Sequence, residues 1–173
     1  RVEATSKGMV TNGLRAQLLG GEAVIDAATQ PDGALRVAIN GVATADALRR
    51  AGELGAAVPR LAQRLQGQAT YRWQASLGNG RADWQLASNL QGLAIDLPAP
   101  LGKPPEQALA LRLASAPEAR PAGGGPPRDW LRIDAGPLKA ALQFDHNAPG
   151  GSRLLRSAWA WDAPLPEPVP GGR

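Results

Sequence analysis

Between Gln68 and Leu77 apolar and polar residues alternate without a break. Ala69, Tyr71, Trp73, Ala75 and Leu77 occupy one set of positions, and Gln68, Thr70, Arg72, Gln74 and Ser76 the other. Successive side chains of an extended backbone leave on opposite sides, so the pattern predicts a strand with one dry and one wet face. Asn79-Gly80 follows, and then Ala82, Trp84 and Leu86 alternate with Arg81, Asp83 and Gln85. An Asn-Gly pair between two alternating runs predicts an antiparallel hairpin. The same rhythm recurs in Leu35, Val37 and Ile39, in Leu93, Ile95 and Leu97, in Leu109, Leu111 and Leu113, and in Leu138, Ala140, Leu142 and Phe144. At least six strands of one style are expected.

Turn residues divide these runs. Pro31-Asp32-Gly33 separates the Leu14 to Thr29 stretch from the Leu35 strand, since Pro fixes φ and Gly accepts positive φ. Together these runs predict another hairpin, with Gly20-Gly21 marking a bulge or bend inside its first arm. Thr44 followed by Asp46 and helix-forming residues predicts a short helix from about Ala45 to Gly52. A second helical turn is expected across Pro59 to Leu65. The fold class is therefore mainly β, an antiparallel meander forming a curled sheet with one or two short helices. Whether that sheet closes, meets a second sheet or stays open as a groove is not fixed by periodicity. Residues 1–173 are expected to form one β-rich segment, with a flexible Pro/Gly loop at 117–128 and a disordered tail at 164–173. The chain opens at Arg1 and closes on Gly171-Gly172-Arg173, and is expected to be an internal piece of a longer protein.

Composition narrows the chemistry. A net charge of +4 and a pI near 10.3 invite comparison with nucleic-acid binders, but only Arg49 and Arg50 are adjacent bases, and no nucleic-acid partner is expected. The absence of cysteine excludes disulfides and thiolate metal sites. No apolar run approaches the roughly 20 residues that a membrane-spanning helix needs, and Arg1 to Gly13 alternates polar and small residues, unlike the apolar run of a secretory signal.

No enzyme signature survives scrutiny. The single histidine, His146, sits in a turn-like context beside Pro149-Gly150-Gly151, without a nucleophile elbow elsewhere. Gly123-Gly124-Gly125 runs into two prolines, not into a helix that could cradle phosphate. Carboxylates alternate with apolar residues and belong to wet strand faces. Neither catalysis, metal nor cofactor is expected. Trp73 and Trp84 fall on the apolar register of one hairpin, and Trp159 and Trp161 lie two apart; core packing explains these rings better than sugar stacking.

The stretch Ser88 to Pro104 carries Leu-Pro-Ala-Pro-Leu-Gly-Lys-Pro after a strand, and resembles the corresponding part of YhdP-type proteins in the AsmA-like superfamily. Leu18-Leu19-Gly20-Gly21, Gly41-Val42-Ala43-Thr44 and Leu65-Gln66-Gly67-Gln68 support the likeness over about Leu14 to Leu113. The resemblance implies a Gram-negative envelope protein, anchored in the inner membrane and mostly periplasmic, that supports phospholipid movement to the outer membrane. Its partners would be phospholipid acyl chains and adjacent segments of the parent protein. It also favours an open groove lined by Leu35, Val37, Ile39, Tyr71, Trp73, Leu77, Trp84, Leu86, Leu93, Ile95, Leu97, Leu109, Leu111 and Leu113. Eight strands at about 4.8 Å each would make a trough about 38 Å wide. The competing expectation is an assembly scaffold that works by strand addition at its edges.

Overall fold

The computed structural model describes residues 2–5, 8–55, 57–78, 81–98, 101–118, 128–145 and 153–166. Four strands come first: β1 (Val2–Thr5), β2 (Gly8–Leu18), β3 (Gly20–Thr29) and β4 (Leu35–Thr44). Helix α1 (Ala45–Arg50), a 3-10 turn at Gly52–Leu54 and helix α2 (Ala57–Ala62) interrupt them. Then come β5 (Leu65–Gly78), β6 (Arg81–Ser88), β7 (Leu93–Ile95), β8 (Leu111–Pro117), β9 (Arg128–Ala135), β10 (Leu138–Asp145) and β11 (Arg153–Trp161). The sheet order is β1-β2-β3-β4-β5-β6-β8-β9-β10-β11, with every neighbouring pair antiparallel. It is an open meander, mainly β as the alternation predicts, and β1 and β11 do not pair.

Register joins the alternating patterns into two continuous faces. One cross-strand row runs Ile25, Ile39, Trp73, Leu86, Leu113, Ile133 and Ala140, each directly opposite the next. The adjoining row on the other face runs Val24, Asn40, Arg72, Ala87, Arg112, Asp134 and Lys139. A slip of one residue in any strand would exchange its two faces, so the apolar side of each strand holds the register of the next.

The early chain departs from expectation. Leu19 (φ 52) and Gly20 (φ 83) form a tight turn between β2 and β3, so the Leu14 to Thr29 stretch is a hairpin in itself. A bulge and a turn both recruit glycine at positive φ, and the sequence alone does not separate them. The expected bulge is present as well, since the β3–β4 register shifts between Gly20 and Ala23, and a second irregularity lies inside β2 between Thr11 and Leu14, where the Gly13 N–H donates to Asp26 Oδ1 at 2.7 Å. The expected Asn79-Gly80 turn, residues 119–127 of the Pro/Gly loop expected at 117–128, His146 and residues 167–173 of the tail expected at 164–173 lie outside the described residues, while Pro117 ends β8 and Arg128 begins β9.

Helix α1 starts where the hydroxyl cap predicts. Thr44 is extended (φ −99, ψ 146) and its Oγ1 accepts from the Ala47 N–H at 3.2 Å. Asp46 lies in the first turn and Arg49 and Arg50 in the last, both favourable to the helix dipole. Thr44→Ala should cost about 1 kcal/mol of stability, measured by urea unfolding followed through tryptophan fluorescence.

Strand β7 leaves the main row and pairs with the beginning of β5, Leu65 opposite Ile95 and Gly67 opposite Leu93. Two glycines make this possible. Gly67 (φ +92) and Gly92 (φ +89) face each other's backbones so closely that a Cβ on Gly92 would sit 2.6 Å from the Gln68 carbonyl oxygen. Leu93 then drops into a small core with Ala45 and Ala69, flanked by Leu65 and Leu90. This cluster, with α1 and α2 beside it, closes one end of the sheet.

Candidate functional site

The apolar positions of the meander form a strip that no second layer of the described strands and helices covers. Apart from strand neighbours, the described elements against the sheet are α1, which touches β4 and β5, α2, which touches β5, and β7. In consequence Leu35, Val37, Ile39, Tyr71, Trp73, Trp84, Leu86, Leu111 and Leu113 are only half-buried, Leu77 is exposed, and no large side chain in the described residues is fully enclosed. Small residues between them, Ala23, Ala69 and Ala75, are buried by their larger neighbours.

Of the fourteen residues expected to line a groove, these ten share the apolar face. The other four are placed differently. Leu93, 4% exposed, is a core residue of the closed end, and Ile95 stands beside it in β7, paired to Leu65. Leu97 lies in a bend after β7, and Leu109 lies before β8 with its side chain against Gly136. Their alternation is genuine, but the glycine contact at the foot of β5 diverts the segment from the main row.

Sequence reading also left residues out. Leu14, Ile25, Leu131, Ile133, Leu138 and Leu142 complete the strip on β2, β3, β9 and β10. The period-two signal Leu131-Arg132-Ile133-Asp134 was sufficient to find two of them. Trp159 and Trp161 join the same face opposite Ala140 and Leu138. Core packing does not describe Trp159, which is 72% exposed on the last strand.

Tyr71 lies over Gly41 on this face, with its hydroxyl 3.0 Å from where a Cβ at Gly41 would stand. Burial raises its pKa above the ordinary phenol value of 10.0. The folded state therefore holds the phenol proton more tightly than the unfolded state, a contribution fully present below about pH 10 and lost as pH rises through the folded value. Tyr71→Phe should flatten the loss of stability above about pH 10, measured by denaturant titrations across the alkaline range.

Two hollows, of about 680 and 1170 Å³, lie on the polar face. Each strand contributes to them residues such as Arg15 and Gln17, Asn40 and Val42, or Gln74 and Ser76, and the backbone between. Of the apolar-face positions, Val37 and Trp84 border the smaller hollow and Tyr71 and Leu111 the larger, whereas Leu14, Ile25, Ile39, Trp73, Leu86 and Leu113 reach neither. The apolar strip is thus an open platform and not a cavity.

A further residue stands out beside the closed end. Lys103, in the Leu-Gly-Lys-Pro part of the proline motif, is only 6% exposed. Its Nζ donates to the carbonyls of Leu93, of Pro104 at 3.2 Å and of Gln107 at 2.9 Å. Burial lowers its pKa from 10.5, and nearby Glu106 acts in the opposite direction. Among the described residues no three His, Asp or Glu side chains gather as metal ligands would.

A family model described as YhdP protein matches residues 1–171 of the chain. No curated protein and no solved structure matches it.

Proposed function

The chain belongs to the YhdP family of envelope proteins, and from that premise we propose that it is a non-catalytic, periplasmic carrier surface for phospholipid acyl chains moving between the inner and outer membranes. Anchoring in the inner membrane would come from the parent protein; among the described residues no helix is long and apolar enough to cross a membrane. The supporting observation is the uncovered apolar strip, continuous across the register from Ile25 to Ile133. Each methylene removed from water contributes about 0.8 kcal/mol. Ten methylenes laid half-buried on the strip would contribute about 4 kcal/mol, enough to hold a lipid transiently and release it to the next segment. From β2 to β11 the strip spans about 38 Å at the usual strand spacing, comparable with the hydrocarbon thickness of a bilayer. Lipid extraction of the purified chain with native mass spectrometry tests this reading. Co-purified phospholipid is expected, and a lipid-free chain that also ignores added fluorescent fatty acid would refute it.

Strand addition is the second reading, and β11 favours it. Its outer edge is unpaired among the described residues and carries the exposed Trp159. An adjacent segment of the parent pairing there would lengthen the strip, so this reading extends the first.

A further inference from the structure

The polar face carries charge in a pattern that the lipid reading does not use. Arg15 on β2, Arg72 on β5 and Arg112 on β8 all line the 1170 Å³ hollow. Register places them in a single row: Arg15 opposite Val24, Val24 opposite Asn40, Asn40 opposite Arg72, Arg72 opposite Ala87, and Ala87 opposite Arg112. At about 4.8 Å per strand, roughly 14 Å of backbone separate Arg15 from Arg72 and roughly 10 Å separate Arg72 from Arg112. All three arginines are exposed, and among the described residues none has a carboxylate within ion-pairing distance. The acids nearby are Glu22, in the hollow, and Asp134, opposite Arg112 and between it and Lys139. The neighbouring 680 Å³ hollow has the opposite balance, with Asp26 and Asp83 around Arg36.

We propose that the Arg15-Arg72-Arg112 row is a track for a linear, phosphate-bearing polyanion lying across the strands. Three facts select that occupant. The cations are in line and not clustered, which suits repeated charges along a chain better than a single phosphate. They line a hollow, which a thin polymer enters and a flat bilayer does not. They form no ion pair among the described residues, so a ligand phosphate meets guanidinium groups able to form bidentate pairs. The track lies on the side of the sheet opposite the acyl platform, so a ligand could occupy it while lipid is bound.

A fluorescently labelled linear polyphosphate of about ten units, long enough to span the row at the strand spacing, provides the test. Binding is measured by anisotropy at low and moderate salt. Arg15→Gln, Arg72→Gln and Arg112→Gln should each weaken binding about fivefold at low salt, and the triple variant should abolish most of its salt dependence. Arg36→Gln, in the other hollow, and Arg50→Gln, on α1, should change affinity less than about twofold. Circular dichroism of each variant shows whether the sheet is intact. Equal losses from row and control substitutions would overturn the proposal, and so would an absence of polyphosphate binding. Binding to phosphatidylglycerol vesicles without binding to soluble polyphosphate would overturn it in favour of a membrane surface.

Discussion

Leu113→Asp should release bound acyl chain while leaving the sheet folded. Leu113 sits in the middle of the apolar strip, directly between Leu86 on β6 and Ile133 on β9, and is half-buried. With no second layer of described strands or helices above it, a carboxylate there keeps contact with water in the lipid-free protein. The fold should lose only about 1 to 2 kcal/mol, the value of a partly buried leucine on a sheet surface. Once a hydrocarbon chain lies on the strip, water is excluded and the same carboxylate must be desolvated without a partner. A loss of about 3 kcal/mol in binding corresponds to more than a hundredfold in affinity for a fluorescent long-chain fatty acid. Asp134, already on the polar face of β9, supplies the control: Asp134→Leu should leave fatty-acid affinity unchanged. If Leu113→Asp keeps both its circular dichroism and its full lipid content, the apolar strip is not the lipid surface. A misfolded variant would instead show that the strip is an interior, which also contradicts the reading.

Lys103→Met should loosen the closed end of the sheet more than any surface change. The ammonium satisfies the carbonyls of Leu93, Pro104 and Gln107, in a segment with few ladder partners of its own. The motif is pinned there by reciprocal bonds, Ile95 N–H to Lys103 O at 2.9 Å and Lys103 N–H to Ile95 O at 3.1 Å, and by Gly92 N–H to Pro105 O at 2.8 Å. Methionine fills similar volume without a donor, so the buried carbonyls lose their partner. Charge-assisted bonds and buried unsatisfied acceptors each weigh about 1 to 3 kcal/mol, and a total of about 3 kcal/mol is expected. For a chain of this size that lowers the melting temperature by roughly 6 to 12 °C. Should the segment open locally, the Gly92 and Ile95 amides will exchange with deuterium much faster while β3 and β4 amides stay protected. Unchanged melting together with unchanged exchange at those two amides would show the ammonium to be dispensable.

The two substitutions probe parts of the molecule that were unequally visible beforehand. Leu113 could be placed on a dry face from Leu111-Arg112-Leu113 alone. Lys103 stands between a glycine and a proline with no alternation around it, and its burial arises from carbonyls contributed by Leu93 and Gln107 once the chain has turned back on itself. The three-arginine row is a similar case: each arginine alternates normally on its own strand, and only register aligns Arg15 with Arg72 and Arg112.

Alternation along the chain determined that this protein is a β meander, which residues of β4, β5, β6, β8 and β10 share a dry side, and where α1 begins. Those properties are local, because the direction of a side chain follows from its own backbone and that of its immediate neighbours. The tertiary structure alone decided that Leu19-Gly20 is a turn, that Leu93 and Ile95 leave the strip for the foot of β5, and that the hollows lie on the polar side. It also decided that the described strands and helices leave the apolar side uncovered. The reason is that these depend on which distant segments approach each other, and a run of alternating residues pairs equally well with a second sheet, a lipid or water until the rest of the chain takes its place.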